Sequence, residues 1–148
     1  MEREVKFSLV FRDMWQSASK YVPRVDQLVK VAPAIIEMGC FARVETNGGG
    51  FEQVNLLFGE NPNRAVREWT KPFHEAGIQT HMLDRALNGL RMSPVPADVR
   101  KLFYKVKHAQ GTDITRTFCG LNDVRNIIPS IGYAHEAGMI SQCSLCIT

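Results

Sequence analysis

The stretch His74-Glu75-Ala76-Gly77-Ile78-Gln79-Thr80-His81-Met82-Leu83 decides the fold. It starts as the polar end of an amphipathic segment, pauses at an Ala-Gly pair and turns at once into a strand-like run. Glycine just past a helix accepts the left-handed cap conformation without a Cβ clash. A strand that begins within a residue or two of that cap leaves no room for a hairpin, so strand and helix must alternate. The same junction recurs at Met38-Gly39, Gln110-Gly111 and Ala137-Gly138, each followed by an apolar, strand-like run. Repeated in this way, the junction predicts an α/β fold with a parallel sheet, whose chemistry gathers at the C-terminal ends of its strands.

Working outward, the first strand is expected over 5–11, followed by a polar loop over 12–24. A helix over 25–38 places Leu28, Ala32 and Ile35 on one face, and Pro33 should kink or restart it. The second strand covers 40–46, a glycine-rich loop 47–50 and a short helix 51–58. Asn61-Pro62 opens the next helix, a cap residue followed by proline at the first helical position. The third strand, 78–83, leads into a long loop over 84–95. After Pro96, Val99, Leu102, Phe103, Val106 and Ala109 form one apolar helical stripe, expected to face the core. A fourth strand over 112–119 precedes a helix capped by Asn122, with Val124, Ile127, Ile128, Ile131 and Ala134 on one face. A fifth strand covers 139–148. Five strands with four main helices make either an open sheet or part of a barrel that usually needs about 250 residues. The expectation is a partial (β/α)8 TIM barrel, strands 1–5 and helices 1–4, with residues 1–148 as the N-terminal part of a single domain truncated after strand 5.

Composition narrows the class. The chain is 45% hydrophobic and 22% charged, as in ordinary soluble proteins. Its net charge of +3 comes from scattered basic residues, which argues against a nucleic-acid or anionic-membrane surface. No apolar run approaches the roughly 20 residues of a membrane span, and the N-terminus has no signal-peptide core. The four cysteines sit in or beside predicted strands, so reduced thiols in the cytoplasm are the default expectation.

The strand ends hold the candidate chemistry. After strand 1 come Arg12, Asp13 and Gln16. A carboxylate there can bind a divalent metal, a guanidinium can stabilise an enolate oxygen and an amide can orient a carbonyl; the alternative is a surface Arg-Asp pair. Glu45-Thr46-Asn47 precede three glycines, which either admit close backbone approach or form a flexible loop; no GxGxxG pattern is present. After strand 3, Arg85 either holds a substrate carboxylate or faces solvent. His74, His108 and His135 each stand three residues before a helix-ending glycine, where the helix dipole favours an imidazolium; they are expected at the opposite rim. His81, inside a strand, reads as a hydrogen-bonded core residue. Cys143 and Cys146 form a CxxC pattern, but residues three apart on a strand point to opposite faces, which argues against zinc or an easy disulfide.

Four blocks in order, FRDMWQS, ETNGGGFEQVNLLF, MLDRALNG and TFCGLNDVRNI, resemble the carboxyltransferase domain of biotin-dependent enzymes acting on pyruvate and oxaloacetate. These are pyruvate carboxylase, its carboxyltransferase where that is a separate polypeptide, the oxaloacetate decarboxylase alpha subunit and the transcarboxylase subunit. The first block is shared with other metal-dependent barrels, including isopropylmalate synthases and acyl-CoA lyases. The resemblance implies a barrel in which Asp13 binds a divalent metal (Zn, Co or Mn not distinguished), Arg12 and Gln16 face the keto and enolate oxygens, and Arg85 holds the substrate. It implies pyruvate or oxaloacetate as substrate, and biotin on a carrier domain not present in this chain. It further implies biotin carboxylase or membrane decarboxylase subunits as partners, with a homo-oligomer. The remaining metal ligands of the family, a carbamylated Lys and a His-x-His pair, lie on later strands. The chain departs from the family pattern at Asn47, where relatives commonly have Trp, at Cys119, where many have Asp, and at Met92, where Tyr is frequent. The fragment alone is expected to be inactive. The alternatives are another metal-dependent barrel lyase or aldolase acting on a 2-keto acid or acyl-CoA, and an inactive fragment that associates through open sheet edges.

Overall fold

The computed structural model describes residues 5–18 and 21–147. Residues 1–4 at the start, Ser19 and Lys20 of the expected 12–24 loop, and Thr148 of the expected fifth strand lie outside the described residues. Along the chain run β1 (Phe7–Leu9), α1 (Phe11–Gln16), α2 (Val25–Leu28), α3 (Ala32–Glu37), β2 (Phe41–Gly48) and α4 (Gly49–Leu57). They are followed by α5 (Pro62–Glu75), β3 (Gln79–Arg85), α6 (Ala97–Ala109), β4 (Ile114–Phe118), α7 (Val124–Glu136) and β5 (Ile140–Ser144). The strands form one sheet in the order β1-β2-β3-β4-β5, every neighbouring pair parallel. The junction glycines explain this order. Gly39, Gly77, Gly111 and Gly138 all take positive φ, between 65° and 94°, so each helix stops where the next strand must begin.

The main core lies between β1, β2 and helices α1 to α5. In α5, Ala65, Val66, Trp69, Thr70 and Phe73 are buried at helical spacing. Asn61 caps this helix by accepting from the Asn63 amide at 2.9 Å. Trp69 stacks at a tilt on Phe11, 5.1 Å between centroids, and edge-on against Phe73 at 4.9 Å. Trp15 meets Phe51 at 4.5 Å. Burying a large apolar side chain of this kind contributes about 1.5–3 kcal/mol, and this cluster ties α1 to the sheet. A smaller core of Met82, Tyr104, Ala134 and Met139 seats α6 and α7 on the other half.

The structure corrects several sequence expectations. The segment after β1 is not a loop from residue 12. It is helix α1, because Phe11 and Trp15, four residues apart, both pack inward. The helix expected over 25–38 is two helices, and Pro33 restarts the chain in the second, one of the two outcomes expected of it. The glycine-rich stretch is not a loop either: Gly48 ends β2, and Gly49 and Gly50 open α4. Asn122 does not cap α7. Asp123 does, accepting from the Arg125 amide at 2.9 Å, while Asn122 takes a φ of 53° and clips the Cys146 backbone from both sides at 2.8 Å.

The largest correction concerns α6. Most of its expected apolar stripe is turned outward: Val99, Leu102, Val106 and Ala109 are exposed, Phe103 is half-buried against the core, and Arg100, Tyr104 and Lys107 are the buried residues. The reason is local supply of acceptors. Arg100 donates to the Ala86 carbonyl at 3.0 Å and to Ser130 Oγ at 3.1 Å. Tyr104 donates to Asp84 Oδ2 at 2.7 Å, and Lys107 pairs with Glu52. Buried polar groups must be satisfied, and here that requirement turns the polar face of the helix inward.

Candidate active site

Helix α1 follows β1 after a single residue, so its polar side chains emerge at the C-terminal end of the sheet. Arg12 and Gln16 are one turn apart, and Arg12 Nη1 donates to Gln16 Oε1 at 2.7 Å. Arg12 Nε donates to Glu45 Oε1, also at 2.7 Å. Asp13 stays exposed at the rim, with Oδ1 3.4 Å from Arg12 Nη1 and accepting from Gln16 Nε2 at 3.4 Å. Close approach here depends on missing side chains. A Cβ at Gly48 would sit 2.6 Å from Arg12 Cδ, and one at Gly50 would overlap the Gln16 amide.

Glu45 is the hub. It is fully buried on β2, and Arg116 from β4 pairs with its other oxygen. His81 Nδ1 lies 3.3 Å from the same oxygen, close enough for an electrostatic contact but not aligned as a hydrogen bond. His81 Nε2 meets Ser8 Oγ at 2.9 Å. Burial alone would raise the Glu45 carboxyl. The contacts with His81 and Arg12 and the charges of Arg12 and Arg116 outweigh that effect and hold it at about 2. The carboxylate therefore stays ionised and fixes the direction of Arg12. The register slips by one residue after Glu45, which pairs with His81 while Asn47 pairs with Met82, and such a bulge re-aims the strand end.

Arg12, Asp13, Gln16, Gln53 and Arg85 line one cavity of about 320 Å³ at this rim. Arg85 is held by its own loop: Nη1 donates to the Arg91 carbonyl at 3.0 Å and lies 3.3 Å from Met92 Sδ. The rim thus brings together all four residues singled out for catalysis, substrate and metal. Two cationic side chains face a partly enclosed space, an arrangement suited to an anionic, oxygen-rich ligand. As a metal centre the set falls short. Among the described residues no group of three or more His, Cys, Asp or Glu converges, and Asp13 alone does not compose a site.

The helix-ending histidines lie at the opposite rim. His74, His108 and His135 occupy the last turns of α5, α6 and α7 or their ends, and His74 Nε2 pairs with Asp113 Oδ2, just before β4, at 2.9 Å. The four cysteines are free thiols. Arg116 and Asp84 were not singled out from sequence for these contacts. The available signal for Arg116 was a charged residue in the middle of an otherwise β-prone run, Ile114–Phe118.

No family model matches the chain. Individual proteins do. A pyruvate carboxylase subunit of Methanocaldococcus jannaschii is 30% identical over 138 residues, covering 93% of this chain and 24% of that protein. Pyruvate carboxylase of Schizosaccharomyces pombe is 31% identical over 147 residues, covering 98% of this chain and 12% of that protein. The chain is similar to pyruvate carboxylases over nearly its whole length. It spans about a quarter of the archaeal pyruvate carboxylase subunit. Among solved structures, the carboxyl transferase domain of Rhizobium etli pyruvate carboxylase with pyruvate superposes with a TM-score of 0.89 at 24% identity, covering 99% of this chain and 25% of that one. That likeness settles the fold: the five parallel strands are part of a TIM barrel. No helix among the described residues is long and apolar enough to cross a membrane.

Proposed function

We propose that this chain provides the substrate-facing part of a biotin-dependent carboxyltransferase barrel that moves a carboxyl group between carboxybiotin and pyruvate or oxaloacetate. The observation that carries the reading is the convergence of Arg12, Gln16 and Arg85 on one cavity, with Arg12 pinned by a fully buried, ionised Glu45. The similarity to pyruvate carboxylases over 93% of the chain supports it. Biotin on a carrier would supply or accept the carboxyl group.

The roles follow from charge and geometry. Arg85 holds the substrate carboxylate at the mouth of the cavity. Arg12 faces the keto oxygen and shares the negative charge that develops there as the enolate forms; a preoriented guanidinium does this without reorganisation. Gln16, fixed by its hydrogen bond to Arg12, presents its amide to the same oxygen. Asp13 is proposed as one donor toward a divalent metal whose other ligands come from outside this chain. By itself the 148-residue chain is expected to release no pyruvate from oxaloacetate above a metal-only control.

Oxalate, a planar dianion that mimics the enolate of pyruvate, tests the site without turnover. Isothermal titration calorimetry should detect weak oxalate binding, reduced roughly tenfold or more by Arg12→Ala or Arg85→Ala, since a charge-assisted hydrogen bond is worth about 1.5–3 kcal/mol. Binding that is indifferent to both substitutions would remove the proposed site.

A further inference from the structure

Two of the four cysteines meet across the ends of neighbouring strands. The parallel register pairs Phe118 of β4 with Ser144 of β5, so Cys119 follows β4 by one residue and Cys146 follows β5 by two. Neighbouring strands lie about 4.8 Å apart, inside the Cα separation of about 4.4–6.8 Å that a disulfide spans. Cys146 Sγ donates to the Cys119 carbonyl oxygen at 3.6 Å. Both segments are fastened from the same turn. Asn122 clips the Cys146 backbone at 2.8 Å on each side, and Asn126 Nδ2 donates to Cys119 Sγ at 3.3 Å. Cys119 stands just ahead of the 13-residue helix α7. The Asn126 amide, followed by the backbone amides of Asp123 and Leu121, holds its thiol below the usual value, against burial and the Asp123 charge.

We propose that Cys119 and Cys146 form a peroxide-reactive pair, with Cys119 as the attacking thiolate and Cys146 as the resolving thiol. The contacts divide the roles. Cys119 sulfur faces amide donors, which stabilise negative charge on it, whereas Cys146 sulfur faces a carbonyl acceptor, which keeps its proton in place. At 9% exposure Cys119 admits a small oxidant rather than a bulky one. The Cys119 thiolate attacks one oxygen of hydrogen peroxide and the O–O bond breaks. The sulfur becomes a sulfenic acid, and the other oxygen leaves as hydroxide, which takes a proton from solvent. Cys146 sulfur then attacks Cys119 sulfur, the S–O bond breaks, and that oxygen departs as water with the Cys146 proton. Each sulfur gives up one electron and the peroxide takes both. The neighbouring strand, not the CxxC spacing, thus supplies Cys146 with its partner. The bridge stands at the rim of the candidate cavity, which Phe118 lines.

Treating the reduced 148-residue chain with a small excess of hydrogen peroxide, then quenching with iodoacetamide, tests this. Peptide mapping without reductant should show Cys119 linked to Cys146, two hydrogens lighter than the separate peptides and reopened by dithiothreitol. Cys40 and Cys143, the exposed thiols, should be recovered alkylated, so that the least exposed cysteine reacts first. Cys146→Ser should leave Cys119 as a sulfenic acid that dimedone traps. Asn126→Ala should slow the loss of the Cys119 thiol at least roughly threefold, because it removes a donor to the sulfur; circular dichroism checks that each variant keeps its fold. In urea the preference for this pair should vanish. Linkage of Cys146 to Cys143, a Cys119 thiol that reacts no faster than Cys40, or a bridge that forms equally well in urea would overturn the proposal.

Discussion

Glu45 and Asp84 stand on neighbouring strands, both are fully buried carboxylates, and they behave in opposite ways. Glu45 meets the two guanidinium groups of Arg12 and Arg116, with His81 alongside. Asp84 turns to the face covered by α6 and accepts only from hydroxyls, of Tyr104 at 2.7 Å, Thr117 at 2.8 Å and Thr115. Burial pushes both carboxyls up. The contact with His81 and the two guanidinium groups reverse the effect for Glu45, whereas hydroxyls do not for Asp84, whose carboxyl stays raised. The same burial in turn raises the Tyr104 phenol, with the Asp84 charge adding to it. The contrast separates the two carboxylates by their partners: cations fix Glu45 toward the cavity, whereas hydroxyls alone tie Asp84 to Tyr104 of α6.

The strongest test of this contrast is Glu45→Ala. It leaves two buried or half-buried guanidinium groups without their counterion, and breaking such a pair costs about 3–5 kcal/mol. Urea unfolding should show a loss of that size; a loss below about 1 kcal/mol would mean the cations do not depend on Glu45. Asp84→Asn should cost less, about 1–3 kcal/mol, because it replaces one buried acceptor but leaves no charge stranded.

The pH dependence of the two sites should have opposite signs. The Glu45 carboxyl is depressed in the folded state, so its stabilisation is present above the unfolded value near 4.5 and fades as pH falls toward about 2. The Asp84 carboxyl is raised, so the folded state holds its proton longer; its contribution is most favourable below the unfolded value of 3.8 and is lost as pH rises through the folded one. Unfolding free energies measured across acid pH should show Glu45→Gln removing the acid-side loss. The deficit of Asp84→Asn should shrink as pH rises. Parallel curves for the two variants would erase the distinction. The smallest effect is expected at the far rim. His74→Ala loses a half-exposed pair with Asp113, costs roughly 1 kcal/mol and leaves oxalate binding unchanged.

Much of this architecture was legible in the chain because it is written locally. A glycine that must take positive φ reports its own junction, and the junctions placed the rim residues of α1 and β3 at one end. What escaped was set by partners far away in sequence. The stripe of α6 reads as core to any periodicity argument, yet Arg100, Tyr104 and Lys107 turn inward because acceptors at Ala86, Ser130, Asp84 and Glu52 await them. Asn122 and Asp123 are both able caps, and the Cys146 backbone, which holds Asn122, decided between them. Helix α1 is six residues long, too short for a period, and only the inward pair Phe11 and Trp15 marks it.

The nearest-neighbour order of the strands has a consequence in time. Each strand can join the sheet as soon as it is synthesised, beside the one made just before. The Glu45 hub does not follow that schedule. Arg12 precedes Glu45 by 33 residues, but Arg116 follows it by 71. At translation rates of about 5–20 residues per second, that gap is roughly 4 to 14 seconds. During this interval the nascent sheet holds a carboxylate that has met only part of its counter-charge, and β4 brings the cation that completes it.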